Sequence, residues 1–329
     1  MTEPVSFPKI VEVAAAVLIR SSASGDEFLL AQRPADKIWA GHWEFPGGKV
    51  ESGETAHAAL VRELHEELGI AVQRATPWLV RQFTYPHATV RLNFFRVTAW
   101  QGELHPHEGQ QFAWQPLAAF SAEARVAPLL PANAPVLRAL SLPALYAISN
   151  AGELGGDEFL RRLQRALAQG LRLLQLREKD MPPAELRALV IRTLDLAHAH
   201  GAKVLLNGDV ALAQELGADG VQLTGAQLAQ LSERPRVEWC AASCHTAEEL
   251  RRAEALGCDF ALLSPVLPTL SHPGAAHLGW GGFAALAQDC SIPIYALGGL
   301  TLKDEETARL HGAHGIALLR QAWPEVSSN

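Results

Sequence analysis

The sequence predicts an α/β protein in two domains, an α/β/α sandwich around a mixed sheet over residues 8–140 and a (β/α)8 TIM barrel over residues 141–329. Three observations predict it. A length of 329 residues exceeds what one hydrophobic core usually serves. Strands outnumber helices in the first part, whereas the second alternates short apolar strands with helices. Residues 128–143, rich in proline, read as the seam between them. Hydrophobic residues make up 48% of the chain and charged residues 19%, a balance that can build two cores.

Each element has a local reason. Residues 11–19 form a nearly unbroken apolar run, read as a buried strand. Gly25-Asp26 predicts a turn, and residues 28–32 the returning strand of a hairpin. Residues 34–45 are rich in turn formers and carry Trp39 and Trp43. Residues 55–68 read as a helix: Ala and Leu dominate, Thr55 suits the N-cap and Gly69 the C′ position. Strands are expected at 78–85 and 88–100, and a second helix at 134–140. Eight strands follow, at 145–149, 171–176, 203–207, 220–223, 238–242, 260–264, 294–296 and 315–318. Helical stretches such as 157–169, 184–200 and 247–256 come after them, which suits a compact barrel.

Charge and composition exclude some functions. A formal net charge of −7 argues against broad electrostatic binding of nucleic acid, while a free nucleotide held through a metal stays compatible. The apolar run 13–19 is too short to span a membrane and lacks a signal-peptide flank, so no membrane partner and a cytoplasmic location are expected. Cys240, Cys244, Cys258 and Cys290 all lie in the second half. Cys240-x3-Cys244-His245 has no second ligand pair at zinc-like spacing, so the thiols read as buried side chains without a disulfide framework. No oligomeric state is implied.

The predicted helix 55–68 carries chemistry. Glu63, Glu66 and Glu67 stand at i, i+3 and i+4 and share one face. Leu60, Val61, Leu64 and Leu68 fall on an adjacent face that can pack on a core, and Ala56 and Ala59 leave room for a ligand near the carboxylates. Close carboxylates raise one another's pKa unless a cation intervenes. A hard divalent ion is the natural partner, Mg²⁺ first and Mn²⁺ as the alternative. A solvated acidic face is the competing reading. The spacing decides against it. Gly48, Glu54, Arg62, Glu63, Glu66, Glu67 and Gly69 fit G-x5-E-x7-R-E-U-x-E-E-x-G-U, with Leu64 and Ile70 in the aliphatic slots U. Seven fixed residues at ~6% usage each coincide by chance on the order of once in 10⁸–10⁹ positions.

This pattern resembles the Nudix box. Segments 44–49 (Glu-Phe-Pro-Gly-Gly-Lys) and 131–136 (Pro-Ala-Asn-Ala-Pro-Val) are similar to the MutT branch, the 8-oxo-dGTP diphosphatases. The resemblance implies a nucleoside triphosphate substrate, 8-oxo-dGTP, cut by water to 8-oxo-dGMP and pyrophosphate. It implies that Glu63, Glu66 and Glu67 hold metal, joined by Glu108 of Glu108-Gly109-Gln110 and by the Gly47 carbonyl. One of these glutamates serves as general base, and Arg62 orients Glu63 or Glu54. It implies that Asn133 reads the oxidised base and that Arg33, standing where that branch has an arginine before the loop, binds the substrate. An amide such as Asn133 can donate and accept along a purine edge, and Phe45 or Phe83 can stack on it. His42, His87, His105 and His107 have no such support and read as surface residues.

The second half resembles thiamine phosphate synthase and its TenI relatives through Gln175-Leu-Arg-Glu-Lys179, Gly217-Ala-Asp-Gly-Val-Gln-Leu223, Ser264-Pro265, Ser271-His272-Pro273-Gly274 and Ala296-Leu-Gly-Gly-Leu300. Gly298-Gly299 after the seventh strand fits a phosphate loop, which implies a phosphorylated ligand in the barrel. There are departures. The synthase pattern has Asn-Asp after the third strand, where this chain has Asn207-Gly208, with Asp209 displaced by one position. A second metal-binding Asp is expected after the fourth strand, and residues 224–227 hold none. His272 replaces an expected lysine. The expectation is therefore a hydrolase with a barrel that binds a phosphorylated ligand or serves structurally; a barrel whose ligand regulates the hydrolase is a further reading. The alternative is a bifunctional thiamine-pathway enzyme with an active synthase barrel, its Nudix domain acting on pathway diphosphates.

Overall fold

The computed structural model describes residues 10–86, 88–107, 109–269, 274 and 276–324, which form two compact units divided between Leu142 and Pro143. In the first, β1 (Ile10–Ser22) and β2 (Gly25–Gln32) make a hairpin with Ser22 opposite Gly25. The turn is at residues 23–24, so Gly25-Asp26 opens the returning strand instead of forming the turn. β3 (Trp43–Glu44) pairs with β2, and β4 (Gly47–Lys49) with β1. Helix α1 (Ala56–Leu68), strands β5 (Ala71–Tyr85), β6 (Ala88–Gln101) and β7 (Phe112–Leu117), and helix α2 (Ala134–Leu140) follow. The sheet runs β3-β2-β1-β6-β5, with β7 also on β2; β1 and β6 are parallel and the other pairs antiparallel.

Alternation along β1 builds the sandwich. Ala14, Ala16 and Leu18 join one core with Leu60, Leu64 and Leu68 of α1. Ala15 and Val17 join the other with Val136, Leu137 and Leu140 of α2. A strand covered on both faces has no solvated side, which is why β1 reads as an apolar run. β5 begins seven residues before the expected start at residue 78; register shifts between Val72 and Arg74 and between Pro77 and Leu79 break the period that sequence reading relies on. β7 carries Pro116, which disguises a strand.

The second unit is a closed barrel of eight parallel strands: β8 (Leu145–Ile148), β9 (Leu173–Leu176), β10 (Lys203–Asn207), β11 (Gly220–Leu223), β12 (Trp239–Cys244), β13 (Phe260–Leu263), β14 (Ile294–Leu297) and β15 (Gly315–Leu318). Helices α3 (Ala151–Leu154), α4 (Gly156–Ala168), α5 (Pro183–Ala199), α6 (Val210–Leu216), α7 (Gly225–Gln230), α8 (Ala247–Leu256), α9 (Gly279–Ala287) and α10 (Glu305–Leu310) alternate with them. One set of strand residues, such as Leu174, Leu176, Val204 and Leu206, packs with helix residues such as Leu163 and Val190. The alternate set meets inside the barrel. The rings of Tyr146, Phe260 and Tyr295 lie 5.3–5.6 Å apart. Gln175 donates to the Tyr146 hydroxyl at 3.3 Å, which donates to Gln222 at 3.1 Å, which donates to Ser243 at 3.1 Å. Burial pushes the Tyr146 hydroxyl well above its ordinary pKa, so it stays a donor in this chain. All four cysteines are free and buried in the layer between strands and helices. No helix among the described residues is long and apolar enough to cross a membrane.

Candidate active site and barrel mouth

Helix α1 is fixed at both ends. Thr55 Oγ1 accepts from the Ala58 N–H at 3.1 Å, and Gly69 closes the helix at φ 70°, a conformation glycine adopts without strain. Leu60, Leu64 and Leu68 bury one stripe, leaving Arg62, Glu63, Glu66 and Glu67 off the core. Ala59, expected to leave room for a ligand, is fully buried and belongs to the core; Ala56 packs against it. Arg62 donates from Nε and Nη2 to the two oxygens of Glu54, each at 3.0 Å, from Nη1 to Glu63 at 2.8 Å, and from Nη2 to the Lys49 carbonyl at 3.0 Å. It thus holds Glu54 and Glu63 together, where the sequence offered either. The hydrogen bonds from Arg62, then one from the Glu51 N–H, hold the Glu54 carboxyl below its ordinary pKa.

Two glycines make this packing possible. A Cβ on Gly48 would lie 2.2 Å from the Glu63 carboxyl carbon, so only glycine lets that carboxylate rest on β4. A Cβ on Gly47 would lie 2.1 Å from the Ala14 carbonyl oxygen of the paired strand. Glu66 is mostly exposed and sits 3.6 Å from Arg62. The Glu67 carbonyl accepts from the His107 N–H at 3.2 Å and from Gln110 Nε2 at 3.4 Å, which brings the loop after β6 to the end of α1. Glu108 lies outside the described residues, as does His87. Among the described residues no three acidic, histidine or cysteine side chains converge as a metal cage. The donor set nonetheless suits a hard divalent ion: three carboxylates on one helix, one of them cradled on a glycine.

A second cluster lies at β2, β3 and β5. Arg33 donates from Nη1 to Glu44 at 2.5 Å and from Nε to the Ile38 carbonyl at 2.7 Å. Burial raises the Glu44 pKa and Arg33 opposes it. Tyr85, beside both charges and the Ala132 backbone, has its pKa raised by burial first and by Glu44 second. Asn133 is buried, 4% exposed, with Nδ2 3.4 Å from the Trp43 carbonyl; although it precedes α2, its side chain makes no capping bond. Glu44 and Gly48 are four residues apart, at most roughly 14 Å of chain, so the two clusters are neighbours. Phe45 corrects an expectation. It is 4% exposed, its ring set against Phe28 at 6.1 Å and Phe94 at 5.8 Å, and no face is free to stack on a base. Half-buried Phe83 lies 4.6 Å from Tyr85 instead. Sequence reading missed Tyr85, whose only signal is an aromatic ending a strand before Pro86. His42, read as a surface residue, is half-buried, and its Nδ1 is buried without a hydrogen-bond partner.

At the barrel mouth, the positions expected to bear metal carboxylates are otherwise engaged. Asp209 accepts from the Leu212 N–H at 2.9 Å and caps α6. Gln227 donates from Nε2 to the Gly208 carbonyl at 2.6 Å and accepts through Oε1 from the Thr224 N–H at 3.1 Å. An amide therefore ties the two loops together, and these residues do not fit a metal. A small open cavity of about 50 Å³ lies beside them, lined by apolar Leu176 and Leu206 and by Glu178, Lys179, Asn207 and Asp209. Gly298 and Gly299 follow β14 at φ 110° and 70°; a Cβ on Gly299 would lie 2.3 Å from the Pro268 carbonyl oxygen, so close approach of that loop also requires glycine there. His272 lies outside the described residues.

Residues 11–140 match the family described as the NUDIX domain, and residues 145–322 the family described as thiamine monophosphate synthase. The first part is 40% identical over 131 residues to the CTP pyrophosphohydrolase of Escherichia coli, covering 40% of this chain and 91% of that protein. It is 38% identical over 115 residues to the 8-oxo-dGTP diphosphatase of the same organism, covering 35% and 86%. The second part is 32% identical over 185 residues to the thiamine-phosphate synthase of Thioalkalivibrio sulfidiphilus, covering 54% and 86%.

Proposed function

From a chain that belongs to the Nudix family over its first domain and to the thiamine monophosphate synthase family over its second, and that is a pyrophosphohydrolase, we propose that its substrate is an oxidised purine nucleoside triphosphate, 8-oxo-dGTP. The observation that carries the hydrolytic part of this reading is the Arg62 fork, which holds Glu54 and Glu63 together, with Glu63 resting on Gly48; the base assignment rests on Asn133. Glu63, Glu66 and Glu67 would hold Mg²⁺, with Mn²⁺ as the alternative, joined by the Gly47 carbonyl and Glu108. When bound, the ion neutralises phosphate oxygens and lowers the pKa of a bound water. Arg62 fixes Glu63 at one edge of that set, and a glutamate of the set takes the water's proton. Attack between the α and β phosphates releases the monophosphate and pyrophosphate. Asn133, buried and without a capping role, offers its amide to the purine edge beside Arg33.

The test is hydrolysis of 8-oxo-dGTP, dGTP, CTP and the thiamine-pathway diphosphates with Mg²⁺. The expected result is highest kcat/KM for 8-oxo-dGTP, with a selective loss of that preference in Asn133→Ala, since a site built to bond a base edge discriminates through that group. Preference for CTP, or equal losses for 8-oxo-dGTP and dGTP in the variant, would sink the assignment. For the barrel, the Gln227 bridge and the capping role of Asp209 support ligand binding without metal-assisted synthase chemistry. Gly298 and Gly299 are the anion-facing backbone of that reading.

A further inference from the structure

Trp39 sits in a conformation that its side chain does not favour. Among the described residues only Trp39 and Phe120 adopt positive φ without being glycine, and Trp39 does so at 65°. Such strain persists only where the surroundings over-determine it, and it concentrates at ligand clamps. Here the surroundings are visible. Arg33 Nε holds the preceding carbonyl, Ile38, at 2.7 Å, and the His42 N–H holds the Trp39 carbonyl at 3.1 Å. The strained turn delivers an indole that stays 36% exposed. It meets His42 edge-on, centroids 5.1 Å apart at 81°, and Tyr85 at 6.0 Å. Tyr85 in turn lies beside the Arg33–Glu44 pair and the backbone of Ala132, next to Asn133. The ring is therefore held at the base end of the site, not the phosphate end. The buried, unpartnered His42 Nδ1 is a polar atom at the same place that the protein leaves unsatisfied.

We propose that Trp39 is the stacking platform that selects a two-ring purine base over a one-ring pyrimidine, with His42 bracing the indole. The assignment rests on reading the first domain as a nucleoside triphosphate hydrolase. An indole covers both rings of a purine, and stacking of this kind strengthens binding about tenfold or more per base. It acts in ground state and transition state alike, so its loss appears in KM and not in kcat.

The experiment compares the full chain with Trp39→Gly, Trp39→Phe and Trp39→Leu on 8-oxo-dGTP, dGTP and CTP. Glycine adopts φ 65° without strain, so Trp39→Gly removes the ring and relieves the backbone. The expected result is a KM raised about tenfold or more for both purine nucleotides, about threefold or less for CTP, and kcat nearly unchanged. Trp39→Phe restores most of the purine KM and Trp39→Leu does not. If Trp39→Gly fails to fold, the Phe and Leu pair decides alone. Unchanged purine KM in Trp39→Gly, or equal KM in the Phe and Leu variants, overturns the platform while a wild type that prefers 8-oxo-dGTP keeps the first reading. A wild type that hydrolyses none of the three overturns both.

Discussion

One guanidinium organises the acidic face of the first domain. Arg62 grips Glu54 with its Nε–Nη2 edge and Glu63 with Nη1, a fork that lysine's single ammonium cannot reproduce. Glu63 lies on the Gly48 backbone and takes no part in either hydrophobic core, so Glu63→Gln should leave circular dichroism and the thermal midpoint essentially unchanged. Hydrolysis should fall ~10²-fold or more, the scale of a lost metal or proton-transfer role; a variant keeping a tenth of wild-type kcat would remove Glu63 from that role. The same fork sets a pH dependence. Arg62 depresses the folded pKa of Glu54 below 4.5, so the stability it confers is complete above that pH and fades as pH falls through the depressed value. Between about pH 6 and about pH 3, Glu54→Gln should therefore lose less of its thermal midpoint than wild type does. Equal acid losses in both proteins would show that the pair is not coupled to folding.

At the scale of elements, α1 was legible because its signals agree: a threonine cap, a leucine stripe and a glycine stop. Leu64, fully buried between α1 and β1, should cost ~2–5 kcal/mol as Leu64→Ala, read from the denaturant midpoint at unchanged slope. A loss below that range would mean the core closes over the cavity. The barrel strands were also legible, since each is a short apolar run between turn residues; β10, β11 and β15 have the expected bounds. Phe45 and Tyr85 were not. A phenylalanine beside the Nudix glycines looks the same whether it faces a base or Phe28 and Phe94, and only the sheet's second face decides it. Tyr85 gains its place from Glu44, Arg33 and Ala132, residues far from it in sequence. Trp39 stood out as a tryptophan in a loop, but its φ is a tertiary outcome and has no sequence period.

For the whole molecule, the separation of cores matters most. The residues of the barrel's core all lie in the second unit, and the two sandwich cores lie in the first. Calorimetry of the full chain should therefore resolve two transitions, with Leu64→Ala moving one of them. The Gln227 bridge gives the second transition a particular character. Where loops are gathered by a bound ion, stability rises with the logarithm of free ion concentration, by ~2.7 kcal/mol at a hundred times Kd. Where an amide gathers them, that linkage is gone, and the barrel mouth is as ordered in a chelator as in millimolar salt. Millimolar Mg²⁺ should thus raise the transition that Leu64→Ala identifies and leave the other in place, and EDTA should reverse only the first effect. A barrel transition that climbs with Mg²⁺ would mean that Asp209 gives up its cap to bind it. The barrel would then be a metal-responsive domain after all, its order a readout of the cell's free magnesium and not of its own sequence.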